Sequence, residues 1–389
     1  MQKKLLAVAI AGAFGAPALA LAQSSTVQIY GTLYVEYSVV DQPRNAANTA
    51  DLSKADFLQT PGSAIGFKGE EKLGGGLSAW FQCESSADPR GINGDGFCTR
   101  NSALGLKGGF GNFFIGNWDT PFKRTISPTN VGGNDTGIFG TAQLLTSQST
   151  TVGTANRLSF KRRQQASFNY DSPNFGGFQI MGAVTASQAS TGTADNATNN
   201  KPRVASIAAQ YSAGPIYVSA GFERHYELAG GVLNDSKDDG WHIGAAYTWG
   251  PVRFGGQYTR QEFDTQVGLV RGEAKVSAFH VGVDWSIVGP HGLRAGYTKA
   301  RDVKGQAGAV IAGGTTGAAG YRPNVGGDTG ADMMQIRYVY TFSKRTEFTL
   351  GYIRLDNDSN AGYRLYGLGA AIQGGSKEDA IAAGLRHTF

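Results

Sequence analysis

The chain carries two cysteines, four methionines and five histidines in 389 residues, and each scarcity removes a class of function. Cys83 and Cys98 form no C-x-x-C pair and have no nearby histidine, so they match no zinc pattern. His225, His242, His280, His291 and His387 fall in separate segments, with no H-E-x-x-H spacing and no G-x-S-x-G elbow, so catalysis has no motif to rest on. The 57 glycines offer no strand-to-helix context for a phosphate-cradling loop. The net charge of +5, or +3 without Lys3 and Lys4, is too small to argue for nucleic acid. No stretch after residue 22 approaches a membrane-spanning helix, and no linker-like boundary divides the chain.

What is present begins with an export signal. Lys3 and Lys4 precede Leu5 to Ala22, all apolar or small, and Ala20-Leu21-Ala22 fits a cleavage site before Gln23. A spanning anchor is the rival, but Pro17, the alanine content and the cleavage triplet favour removal. The expectation is a signal peptide at 1–22 and a mature unit at 23–389.

Sixteen segments then alternate apolar and polar residues. The first puts Val27, Ile29, Leu33, Val35 and Tyr37 on one face; the rest lie near 63–72, 77–87, 98–107, 112–120, 161–172, 178–187, 203–212, 215–226, 240–249, 251–262, 274–287, 292–302, 333–342, 346–356 and 379–389. The mean hydropathy of −0.24 is what alternating lipid-facing and lumen-facing residues give. The final run, Ile381 to Phe389, ends on an aromatic residue, as suits a last strand that closes against the first. The expected fold is all-β: a 16-stranded antiparallel transmembrane β-barrel with an infolded loop after strand 5.

The connections alternate short and long. Seven tight turns, among them Gly74-Gly75-Gly76, Gly250-Pro251 and Gly289-Pro290-His291-Gly292, supply hairpin angles; long loops such as 188–202, 227–239, 303–331 and 357–378 face outward from the cell. One connection differs, Pro121 to about Lys161. A loop of that length is functional or disordered. The sharper reading folds it into the barrel as a constriction at 121–160. Cys83 and Cys98 bracket the second loop, and the oxidising periplasm favours a disulfide; two buried thiols are the alternative.

The chain resembles a Gram-negative general porin of the trimeric, sixteen-stranded β-proteobacterial type. The resemblance runs through Val27-Gln28-Ile29-Tyr30-Gly31, Gly66 to Leu77, Gly111-Asn112-Phe113-Phe114-Ile115-Gly116, Phe168 to Gly177 and Leu385-Arg386-His387-Thr388-Phe389. It implies an outer-membrane channel for passive diffusion of small hydrophilic solutes and ions. It also implies a homotrimer in contact with outer-membrane lipid and lipopolysaccharide, and Phe389 as a signal to the barrel assembly machinery. No cofactor or metal is expected. Basic wall positions facing an acidic loop carry over to Thr32, Ala64, Asn117 and Arg163, of which only Arg163 is basic here.

Parity gives a lumen list without the resemblance. Lys68, Lys161, Arg163, Arg253, Arg294, Arg337 and Arg386 face inward with Glu36, Glu70, Glu84, Glu223 and Asp284. Asp119, Lys123, Arg124, Asp135 and Arg157 accompany the loop, and Asp135 is the candidate for the negative side of a throat, although Gly-Asn-Asp also occurs as an ordinary turn. The basic excess points to weak anion selectivity. A substrate-specific channel, which would concentrate aromatics in its lumen, is the alternative; parity sends most aromatics outward, with Tyr30, Tyr34, Trp80 and Tyr217 as exceptions. A barrel enzyme is a distant third.

Overall fold

The computed structural model describes residues 27–45, 49–52, 54–91, 96–146, 159–186, 203–228, 235–267, 269–309, 325–365, 368 and 372–389. The signal segment 1–22, loop 188–202 and Arg157 lie outside the described residues.

The strands are β1 (Gln28–Asp41), β2 (Ala55–Gln59), β3 (Ala64–Gly74), β4 (Leu77–Ser86), β5 (Ser102–Gly108), β6 (Gly111–Asp119), β7 (Arg163–Asp171), β8 (Phe178–Thr185) and β9 (Arg203–Ala213). They continue as β10 (Ile216–Tyr226), β11 (Lys237–Trp249), β12 (Val252–Val267), β13 (Val270–Val288), β14 (His291–Ala300), β15 (Lys304–Gly305), β16 (Ala331–Ser343), β17 (Thr346–Asn357) and β18 (Lys377–Thr388). Both β2 and β3 pair with β1, opposite its outer and inner halves, so they are two parts of one barrel strand interrupted at Pro61-Gly62. The two-residue β15 only flanks β13. Sixteen barrel positions remain, all antiparallel, and β1 closes on β18 from Thr32↔Thr388 to Asp41↔Asp379. Closure is the physical necessity: hydrocarbon offers no partner to an open edge, and each unsatisfied backbone group costs several kcal/mol.

The outer face shows the same logic. On β11, Trp241, Ile243 and Tyr247 are exposed while His242, Gly244 and Ala246 point inside. Two boundaries depart from the sequence expectation. The region between 262 and 274 is no loop: β12 and β13 stay paired up to Val267↔Val270. Past Tyr258 the outward positions become Arg260, Glu262, Asp264 and Gln266, so the ladder continues into water after the apolar signal stops. The strand expected from 98 begins at Ser102, because Cys98 has φ +59 and is drawn to Cys83, Cα to Cα 4.8 Å, as a disulfide.

The packed core lies inside the barrel, where connecting segments fill it. Phe122, Ile126 and Phe160 pack on Phe263, Ala274 and Val276, while Phe139, Leu144, Leu145, Tyr363 and Leu365 pack on Val40, Met333, Ile353 and Leu355.

Candidate functional site

The segment after β6 turns inward at once. Thr120 caps the short helix Pro121–Ile126, its hydroxyl accepting from the Lys123 N–H at 3.5 Å, and Pro121 suits the first helical turn. Its apolar side buries Phe122 and Ile126. The Phe122 N–H donates to Ser206 Oγ at 3.1 Å, and the Thr125 carbonyl accepts from the Tyr217 hydroxyl at 2.9 Å and Ser219 at 2.8 Å.

Farther along, wall side chains take up the segment's backbone groups. Arg253 donates to the Pro128 carbonyl at 3.1 Å, Asp284 accepts from the Gly132 N–H at 2.9 Å, and Arg337 donates to the Gly132 carbonyl at 2.9 Å and to Asn134 Oδ1 at 2.6 Å. The Ile138 N–H reaches Glu36 at 2.8 Å. A buried loop needs every such partner, because an unpaired polar group away from water costs about as much as a lost hydrogen bond. Glycines allow the approach: a Cβ on Gly282 would stand 1.9 Å from the Val131 carbonyl oxygen, and one on Gly132, whose φ is +76, 1.9 Å from that of Ala295. The segment thus runs along the inner face of β8 to β16 and reaches β1.

Charges meet in pairs where the segment and its two ends face β4 to β7. Asp119 accepts from Lys123 at 2.9 Å and lies 3.2 Å from Arg163, whose Nε donates to Asn101 Oδ1 at 2.6 Å. Arg100 donates to Glu84 at 2.7 Å. Lys161 donates to Asp135, which also accepts from Ser127 at 2.8 Å and Asn130 at 3.1 Å. Burial alone would raise the Asp135 carboxyl, but the Lys161 ammonium and these donors hold it below the ordinary carboxylate range. Burial lowers the Lys123 ammonium, against the pull of Asp119.

Of the residues expected from sequence, Arg163, Lys161 and Asp135 gather around the inward segment. Thr32 and Ala64 are register partners, with Thr32 Oγ1 3.3 Å from Thr388 Oγ1. Asn117 donates its amide to the Thr99 and Arg100 carbonyls at 2.9 and 3.0 Å, so it braces the wall. Lys68 sits apart, 4.9 Å above the Tyr30 ring and nearer the tight turns. The sequence reading named Arg294, Arg337 and Arg386 without grouping them. They meet Thr32, Tyr34, Asn134, Asp135 and Glu347 around a cavity of about 340 Å³, where Glu347 lies 3.2 Å from Arg294 and 3.9 Å from Arg386. The inward Phe114 and Trp118 were not singled out from sequence, although alternation from the outward Phe113 and Ile115 places both inside; the bulge opposite them has its extra residue on β7, where Ala166 has φ +47.

A family model described as Gram-negative porin matches residues 6–360. This chain is a Gram-negative porin. Outer membrane porin protein 32 of Delftia acidovorans is 26% identical over the full length of both chains, and major outer membrane protein P.IB of Neisseria gonorrhoeae is 35% identical over 46% of each. Among solved structures, the anion-selective porin from Comamonas acidovorans superposes with a TM-score of 0.72 at 22% identity, covering 94% of this porin and 100% of that chain. A trimer form of OmpT from Vibrio cholerae does so at 0.64 and 16%, covering 94% and 100%. These last two likenesses are of fold. The porin is an outer-membrane protein, and its barrel is a channel for passive diffusion.

Proposed function

We propose that this porin is a weakly anion-selective, homotrimeric diffusion channel for small hydrophilic solutes, without enzymatic activity, and that the segment 121–160 is its constriction. One observation carries the selectivity. Asp119 serves both Lys123 and Arg163, while Glu84 with Arg100, Asp135 with Lys161 and Asp171 with Arg124 are matched one to one, so this set of ion pairs keeps one positive charge uncompensated. Charged rings in a narrow water path bias the ions that enter, and low-dielectric walls focus their field.

Trimerisation draws support from the outward apolar positions of the first strands, Ile29, Leu33 and Val39 on β1 and Ile65 on β3, which can pack against a neighbouring barrel. The same outward belt suits contact with outer-membrane lipid and lipopolysaccharide elsewhere on the surface. Export by the 1–22 segment and delivery through the barrel assembly machinery complete the reading.

The test is a planar bilayer separating unequal KCl solutions at low ionic strength. The expected result is an open-channel current with a reversal potential on the chloride side of zero. A reversal potential at zero or on the potassium side refutes the selectivity and leaves the channel standing.

A further inference from the structure

Three of the five tryptophans have an ordinary place. Trp241, Trp249 and Trp285 are 37, 70 and 42% exposed on the outer face, where aromatic girdles of membrane barrels lie. The other two point inward. Trp80 on β4 and Trp118 on β6 meet around Phe114, with ring centroids 5.7 Å apart for the two indoles and 5.4 and 5.2 Å from each to Phe114. Gly105, on the strand between, makes the space: a Cβ there would stand 2.5 Å from the Trp80 ring.

Phe114 is covered, at 1% exposure, with the Arg124 guanidinium 6.0 Å above its ring. It supports the cluster. Both indoles are only half-buried, so each keeps apolar surface open in a water-filled lumen, and the Trp80 Nε1 is already committed to Asn112 at 2.7 Å. Directly beyond Trp118 in the chain comes Asp119, with Lys123 and Arg163 on it. The aromatic surface is thus followed directly in the chain by the carboxylate that two cations share, while Arg124, whose guanidinium lies over Phe114, is already held by Asp171 at 2.8 and 2.6 Å.

We propose that Trp80 and Trp118 form a stacking station for ring-bearing carboxylates, which lay the ring on the indoles and turn the carboxylate toward Lys123 and Arg163. The indoles supply a sequence of offset or edge contacts, and the cations fix the orientation. A carboxylate without a ring finds only the cations, which Asp119 already occupies. A neutral ring finds only the indoles.

This inference rests on the reading of the molecule as an open channel, and KCl conductance measured first tests that reading alone. With full-length porin in a planar bilayer at fixed ionic strength, benzoate is the probe and acetate its ring-free counterpart. Benzoate should reduce the current saturably, with a half-blocking concentration at least about fivefold below that of acetate, the equivalent of one aromatic pair at roughly 1 kcal/mol. Trp118→Ala should abolish that preference and Trp118→Tyr should retain most of it. Tryptophan emission of the detergent-solubilised protein should change saturably with benzoate and not with acetate. Equal block by both anions in the wild type overturns the proposal even if no variant assembles, and so does an undiminished preference in Trp118→Ala. A silent bilayer would instead refute the channel.

Discussion

In the proposed constriction a single carboxylate, Asp119, answers to two cations, and that count makes Arg163 the residue to remove. Arg163→Ala leaves Lys123 and Asp119 as a matched pair, so chloride preference should fall toward zero. Asp135→Asn leaves Lys161 without its carboxylate and should raise it. Both shifts should shrink between 0.1 and 1 M KCl, as screening tightens from about 10 Å to about 3 Å. The sign of the pH dependence follows from Asp135. A carboxyl held below its ordinary value of 3.8 keeps its charge, and its pairing with Lys161, above that value and loses both only as pH falls through the depressed pKa. The reversal potential should therefore hold from pH 7 to pH 5, and a drift in that window would remove Asp135 from the account. Alternation counted from Phe168 and Tyr170 named Lys161 and Arg163 as lumen candidates, but the bulge at Ala166 breaks that period before it reaches them, leaving Gln164 buried and Gln165 exposed. Alternation could not show which of them is compensated, because Asp119, Lys123 and Asp135 reach them through an aperiodic segment whose path is set by tertiary contacts.

At the scale of elements, strands and inward segment differ in what fixes them. Strands wrote themselves into the sequence wherever one face meets lipid and the other water, so Trp241, Ile243 and Tyr247 announce β11. The signal fails where the outward face leaves lipid for water, as on the outer parts of β12 and β13, whose inner face still packs Phe263, Ala274 and Val276, and where a turn such as Pro61-Gly62 splits one barrel strand into β2 and β3. The inward segment has no period at all and is held by a trough of small residues. Gly282 lies at the bottom of it, where no side chain fits beside Val131. Gly282→Val should push Val131 and Gly132 off the wall, cost on the order of 1–3 kcal/mol as overpacking does, and leave the barrel ladder intact. The measurement is single-channel conductance beside heat-dependent gel mobility. Altered, noisier conductance with unchanged mobility is expected; wild-type conductance would mean that the segment does not depend on this contact.

The whole molecule depends on one seam, where β18 meets β1. Its last contact is reciprocal: the Gly31 N–H donates to the Phe389 carbonyl at 3.1 Å and the Phe389 N–H to the Gly31 carbonyl at 3.0 Å. Gly31 also leaves room for the aromatic ring, since a Cβ there would stand 2.5 Å from it. Deleting Phe389 removes both hydrogen bonds and the partial burial of the ring, roughly 2–4 kcal/mol together. The periplasmic rim is wet, so water can satisfy the freed groups once the barrel is closed. The loss therefore falls on the step that brings the two ends of a long chain together, where little else yet holds them. We predict that the truncated chain reaches the outer membrane in smaller amount, while the fraction that does insert conducts normally and still forms a trimer, because the outward residues of β1 and β3 are untouched. Quantifying heat-modifiable trimer in outer-membrane fractions against total exported protein checks this. Full-level insertion would show that the seam closes without Phe389, and inserted monomers alone would move the trimer contact from the first strands to the seam itself.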